Sequence, residues 1–262
     1  MITQLILIVF IISSSGPSTT SATSKKTTSA TTTMSPENLP QLNSFKKIVL
    51  PKNHWSFNGN YNDSFGNANL ISGVNFGLTS DRYGNPNSAL SLNNGYMIVP
   101  GGQVYFSGDF SFISWIFWRK TLNWARIIDF GNGDPGDNIQ ICSFENRNRI
   151  FVGIAQGKND SSFNNPLITK NPISLNTWYH IAYVQSGNKG TLYLNGTAVV
   201  TNTLSPPLSV VRNSNFIGKS NWVGNDLVNA VFDEMKIFDV ALSEAQVIHD
   251  YRFRPTTFEK RK

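Results

Sequence analysis

From Ile48 onward the apolar residues come in runs of four to eight, rich in β-branched and aromatic side chains, and nearly every run ends at Gly, Asn, Pro or Asp. Punctuation this frequent leaves no room for long helices and predicts many short strands joined by tight turns. Phe110 to Trp118 (FSFISWIFW) is apolar on both pleat faces, as a central strand covered on both sides requires, and Trp178 to Val184 reads the same way. The stretch from Thr191 to Val200 places Asn195-Gly196 between two strand runs. Both central residues of a type I′ turn need positive φ, so this pair predicts a β-hairpin. Near the end, Ser243-Glu244-Ala245-Gln246 has the form of a capping box, with Leu242, Val247 and Tyr251 on one face of a short helix. The chain is 40% hydrophobic and only 15% charged over 262 residues, enough to fill one core. Short strands of this number must close into a sandwich or barrel.

The N-terminal part is different. Leu5 to Ile12 is an unbroken apolar block followed by the small residues Ser13-Ser14-Ser15-Gly16. This pattern reads as a secretory signal peptide over residues 1–15, too short to span a bilayer core of about 30 Å. Met1 to Gln4 lacks the usual Lys or Arg, which keeps an uncleaved anchor as the alternative. Between Ser13 and Ser35, sixteen of twenty-three residues are Ser or Thr, so residues 16–47 are expected to be a spacer, O-glycosylated or bare. The domain proper is expected over residues 48–251, with a basic tail at 252–262. After signal cleavage no stable membrane span is expected, and the protein should be secreted.

The formal charge of +6 would ordinarily suggest a nucleic-acid partner. It lies at the ends: residues 48 to 251 carry thirteen basic against fourteen acidic groups. The folded body is therefore close to neutral, and no nucleic acid is expected. A single cysteine, Cys142, permits no internal disulfide and sits in a strand-like run with no activating neighbour, as a buried thiol would.

Several segments stand in a recognisable order: His54-Trp55-Ser56-Phe57-Asn58-Gly59 with Asp63-Ser64-Phe65-Gly66, then Asp109-Phe110-Ser111-Phe112, Asn176-Thr177-Trp178-Tyr179-His180, Leu192-Tyr193-Leu194-Asn195-Gly196, and Phe232-Asp233-Glu234-Met235-Lys236-Ile237-Phe238-Asp239. Together they resemble a laminin G-like domain of the concanavalin A-like lectin/glucanase superfamily, over residues 54 to 251. The resemblance implies an all-β jelly-roll sandwich of two antiparallel sheets with one short C-terminal helix. It also implies a secreted or cell-surface setting and a glycan or extracellular protein as partner. Many domains of this family join their ends through calcium. On that pattern Asp63 and Asp233 are the expected ligands, Asp233 because its alternation with Val231, Met235 and Ile237 would put it on an apolar face.

Glycoside hydrolysis needs two carboxylates about 5 to 9.5 Å apart. The superfamily's hydrolases carry them as Glu-x-Asp-x-x-Glu on one strand, a spacing this chain lacks among its five Glu. Asp233-Glu234 are adjacent, so a regular strand would point them to opposite faces. No Gly-x-Ser-x-Gly elbow or zinc spacing occurs, and the three His read as structural. The expectation is a non-enzymatic binding module. A divergent glycoside hydrolase, or an extracellular structural protein, is the alternative.

Sugar sites stack a ring on an exposed aromatic and fix hydroxyls with polar side chains. Trp222 with Asn221 and Asp226, and Trp124, lie in polar, loop-like stretches, whereas Trp55, Trp115 and Trp178 lie in strand patterns expected in the core. The Gly/Asp/Asn stretch from Asp129 to Asn138 offers Asp137 and Asn138 to calcium or to sugar hydroxyls, or is merely a turn. Asn62, Asn159 and Asn195 begin glycosylation sequons, and Asn159 has the most open polar context.

Overall fold

The computed structural model describes residues 49–157, 163 and 165–254. The expected signal peptide, the whole Ser/Thr spacer, Asn159 and most of the basic tail lie outside the described residues.

Thirteen antiparallel strands carry the fold. They are β1 (Asn53–Trp55), β2 (Gly73–Thr79), β3 (Ala89–Val99), β4 (Phe110–Trp118), β5 (Arg126–Gly131), β6 (Ile139–Phe144) and β7 (Arg149–Ile154). There follow β8 (Leu167–Ile168), β9 (Trp178–Ser186), β10 (Lys189–Leu194), β11 (Thr197–Thr203), β12 (Ser214–Ile217) and β13 (Val228–Phe238), then the helix α1 (Glu244–Arg252).

The expected sandwich is present, but its two layers are one continuous ladder in the order β11-β10-β9-β4-β13-β3-β12-β5-β6-β7-β8, with β1 added to β13 and β2 to β3. The ladder folds over at β3. Its first half pairs with β13 (Leu90↔Phe232) and its second with β12 (Met97↔Ile217), so one strand serves both layers. Asn202 of β11 donates through Nδ2 to the Asn165 carbonyl at 3.1 Å, bringing the ladder's far ends together.

Alternation fills the space between the layers. Phe110, Phe112, Ile116 and Trp118 of β4 share one core with Tyr183, Phe232, Ile128, Phe130, Ile139 and Ile141. Each such side chain contributes about 1.5–3 kcal/mol by leaving water. The opposite face of β4 is only half covered. There Ile113, Ala182 and Val184 pack under Leu242 and Val247 beside α1. Trp115 stacks on Tyr251 at 5.7 Å between centroids. Trp115 and Trp178 are therefore half-buried on the outer face rather than core residues, because the pleat gives the inner face to Ile116 and Trp118. Trp55 is fully buried, as expected.

The hairpin and helix form as the sequence predicts. Asn195 and Gly196 have φ of 50° and 77° between β10 and β11. Ser243 caps α1, with both reciprocal bonds of the capping box to Gln246.

The alternation assumed for Asp233 fails at the next residue. Glu234 has φ of 52°, and the register against β4 shifts between Asp233 and Lys236. This bulge leaves Asp233 on the outer face while Met235 and Ile237 turn into the core. The outer face here is ionic. Asp233 pairs with Arg82, which lies over the Trp115 ring at 4.7 Å. Glu234 accepts from His54 Nε2 at 2.7 Å, and Lys236 donates to Asp250 of α1 at 2.8 Å, which also meets His180 Nε2 at 3.2 Å.

Candidate functional site

Two loops from distant parts of the chain meet beside β5 and β6. The loop entering β5 carries Trp124, and the loop leaving β12 carries Trp222. They are clamped together: Asn123 N donates to Asp226 Oδ2 at 2.7 Å, and Asp226 N donates to the Asn123 carbonyl at 3.0 Å. Below them Asp129, fully buried on β5, anchors both. Its carboxylate accepts from Arg126 Nε (3.2 Å), Asn138 Nδ2 (2.8 Å), Asn221 N (3.0 Å) and Asn221 Nδ2 (2.9 Å). Trp124 itself has φ of 53°, a left-handed backbone that a bulky side chain adopts only under constraint. The constraint is visible: Arg126 Nη1 donates to its carbonyl at 2.6 Å, and Ser143 Oγ to the Leu122 carbonyl at 2.8 Å.

Between the two tryptophans lies a cavity of about 390 Å³, lined by Trp124, Arg126, Gln140, Phe151, Phe163, Pro166, Trp222 and Asn225. Its volume is in the range of small-ligand sites. The aromatic wall is continuous. Trp124 meets Phe151 edge-on at 5.4 Å, Phe151 meets Phe163 at 6.1 Å, and Phe163 meets Trp222 at 5.6 Å between centroids. The Arg126 guanidinium sits 5.8 Å from the Trp222 ring centre. Among the described residues that line the cavity there is no Asp or Glu.

The structure thus brings Trp124 and Trp222 to one place but assigns their polar neighbours other work. Asn221 is bound to Asp129 and to Ser214, whose Oγ donates to its Oδ1 at 2.5 Å. Asp226 is the loop clamp. Asn138 is fully buried, and its Oδ1 accepts from Gly136 N at 2.7 Å. Asp137 Oδ1 takes the Gly157 N–H at 2.7 Å. None of the four lines the cavity, because loop backbones that leave a sheet need side-chain acceptors and donors of their own. Arg126, Gln140, Phe151, Phe163, Pro166 and Asn225 are the lining residues that sequence reasoning missed. Two of them leave a signal: Gln140 is a lone amide inside the apolar run Ile139 to Cys142, and Phe163 is a lone aromatic in a polar stretch.

Neither carboxylate expected at a calcium site fits one. Asp63 is cradled by N–H donors: Asn53 Nδ2 at 2.6 Å, His54 N at 2.8 Å, Gly66 N at 3.0 Å, and Phe65 N and Ala68 N at 3.2 Å. Burial by itself would raise its pKa, but these bonds outweigh burial and hold it below the ordinary value. A pocket of five donors presents positive dipoles where a cation would have to sit. Asp233 already has Arg82 as its cation, although burial still pushes its carboxyl up to about 7. Among the described residues no group of three or more His, Cys, Asp or Glu is placed to hold a metal ion.

Of the other residues singled out, Cys142 is buried, and burial raises its thiol to about 12, well away from the thiolate. Asn62 is exposed at its turn, and Asn195 Oδ1 takes the His180 N–H at 2.9 Å.

Comparison with known proteins agrees with this architecture. A laminin G-type family model, described as the Concanavalin A-like lectin/glucanases superfamily, matches residues 91–248, more than half of the sequence. The chain belongs to that superfamily. Among solved structures, this laminin G-like chain is similar to domain 4 of AbnA, an extracellular arabinanase from Geobacillus stearothermophilus in complex with arabinotriose. That match has 22% identity and a TM-score of 0.58, and covers 78% of this chain and 98% of that one. The botulinum neurotoxin serotype G binding domain matches at 19% identity and a TM-score of 0.58, over 77% of this chain and 50% of that one. A Trypanosoma rangeli sialidase in complex with sialic acid matches at 13% and 0.54, over 76% of this chain and 32% of that one. At these identities the likeness is one of fold. No curated protein matches the chain. No helix among the described residues is long and apolar enough to cross a membrane.

Proposed function

We propose that the laminin G-like domain is an extracellular, non-enzymatic carbohydrate-binding module whose ligand enters the cavity between Trp124 and Trp222. The observation that carries this reading is the convergence of two tryptophans, 98 positions apart in sequence, on one aromatic-walled cavity whose loops are clamped by Asp226 and Asp129. Strain held at Trp124 points the same way, since a left-handed bulky residue persists where a site must be pre-shaped. Aromatic faces take the apolar face of a sugar ring. Two other ligand classes fit less well. An organic cation would meet the Arg126 guanidinium already placed over Trp222. A nucleic acid would meet a folded body without net positive charge. The absence of a carboxylate among the described lining residues supports binding without hydrolysis. The matched arabinanase domain, solved with arabinotriose, supports a saccharide as the ligand class. The apolar block at Leu5 to Ile12 and the Ser/Thr spacer support export of the domain on a stalk.

The test is a glycan array probed with the full chain, wild type against Trp222→Ala and Trp124→Ala. Binding to a saccharide that falls at least tenfold in both variants, with unchanged melting temperature, is the expected result. Binding unaffected by either change, or turnover of the bound polysaccharide, would overturn the proposal.

A further inference from the structure

The cavity floor holds a polar group that the fold leaves unused. Gln140 lies on β6 opposite Asp129 of β5 and Gly153 of β7, and is only 3% exposed. Its Oε1 is buried yet has no hydrogen-bond partner among the described residues. A buried acceptor without a donor is destabilising, and folds that keep one have it face a water or a ligand. Gln140 opens into the cavity between the tryptophans.

The charge of the cavity is equally telling. Arg126 is the one cation lining it among the described residues, and its Nε is bound to the buried carboxylate of Asp129 at 3.2 Å while Nη1 holds the Trp124 carbonyl. The pair is neutral as a unit. An anionic ligand would lose its hydration without gaining an unpaired cation, which is unfavourable. A hydroxyl, by contrast, supplies the donor that Oε1 lacks.

We propose that this site selects an uncharged glycosyl residue and that Gln140 is its specificity-determining residue, accepting a hydrogen bond from a ring hydroxyl while the sugar face lies against Trp124 or Trp222. The inference rests on the carbohydrate reading above and adds to it a ligand class and a reading residue.

The full chain is probed with immobilised arabinan, galactan and glucan oligosaccharides and with matched sialyl- and glucuronyl-terminated glycans. Wild-type protein is expected to bind members of the neutral set and to bind the acidic set at least tenfold more weakly. Gln140→Leu fills the same space without the acceptor, so it is expected to lose at least tenfold in affinity while its melting temperature holds or rises. A merely structural glutamine would show the reverse, a lower melting temperature with unchanged affinity, and that result would overturn the proposal. So would a preference for the acidic set, which needs no variant. Silence of the wild type on every glycan would instead sink the carbohydrate reading itself. Neutral binding that ignores Gln140→Leu would remove only this inference.

Discussion

Replacing Asp63 by Ala separates an N–H cradle from a metal site. The carboxylate accepts five hydrogen bonds, of which those from Asn53 Nδ2 and Ala68 N are buried and those from His54, Phe65 and Gly66 are partly so. A buried donor left without an acceptor costs about 1–3 kcal/mol, whereas the partly exposed ones can turn to water. Asp63→Ala should therefore destabilise the domain by about 3–5 kcal/mol, a large share of the about 5–15 kcal/mol typical of a domain. The pH dependence has a definite sign. The native pKa is depressed, so the stabilisation is complete above the unfolded value of about 3.9 and is lost as pH falls through the lower native value. Wild type should thus lose stability below about pH 4 more steeply than Asp63→Ala does. Gly66→Ala offers an independent check, because a Cβ there would lie 2.5 Å from both Asn53 Nδ2 and Asp63 Oδ2. Urea denaturation at pH 7 and pH 3, with calcium and with chelator, measures all of this. A loss below about 1 kcal/mol in Asp63→Ala would refute the reasoning. So would a calcium-dependent rise in wild-type stability that the variant lacks.

Asp250→Ala removes the acceptor shared by Lys236 and His180 under α1, and should cost about 3 kcal/mol in urea denaturation because both partners are buried; a change within about 0.5 kcal/mol would show that the pair is solvated. At Gly218, φ is 88° and a Cβ would meet Leu92 Cδ1 at 2.6 Å and the Gly95 carbonyl oxygen at 2.7 Å, where β3 crosses between layers. Gly218→Ala should lower the melting temperature by about 5–10 °C, and an unchanged value would mean that the crossing can relax.

The parts of the fold that the sequence discloses are those fixed by local chemistry. Asn195-Gly196 can scarcely do anything but turn, and Ser243 with Gln246 closes its cap within four residues. The double-faced apolar run at Phe110 to Trp118 likewise marks the middle of a sheet. What stays hidden depends on partners far along the chain. The bulge at Glu234 breaks an alternation that looks regular in sequence, and only the register against β4 reveals it. The two loop tryptophans could be picked out because polar surroundings make a large aromatic conspicuous. Asn221 and Asn138 looked like ligand-binding groups for the same reason, yet a buried carboxylate at Asp129 claims them both. Phe151 is indistinguishable in sequence from a core residue, since its role as a wall is set by where the loops fall, whereas Phe163 stands among Asn, Asp and Ser and carries the same signal as the tryptophans.

The border formed by β2 has a practical consequence. Among the described residues this strand pairs only with β3, and it leaves Val74 and Phe76 about 40% exposed. An outer strand with bare apolar side chains would ordinarily invite a second copy to continue the sheet. Asn75, with φ of 50°, interrupts the register between those two residues and fastens itself back to Asn94 through Nδ2. A kinked border offers a newcomer no straight run of amides to zip against. Concentrated solutions of the domain should accordingly stay free of fibrils, and straightening that kink is the change that would put them at risk.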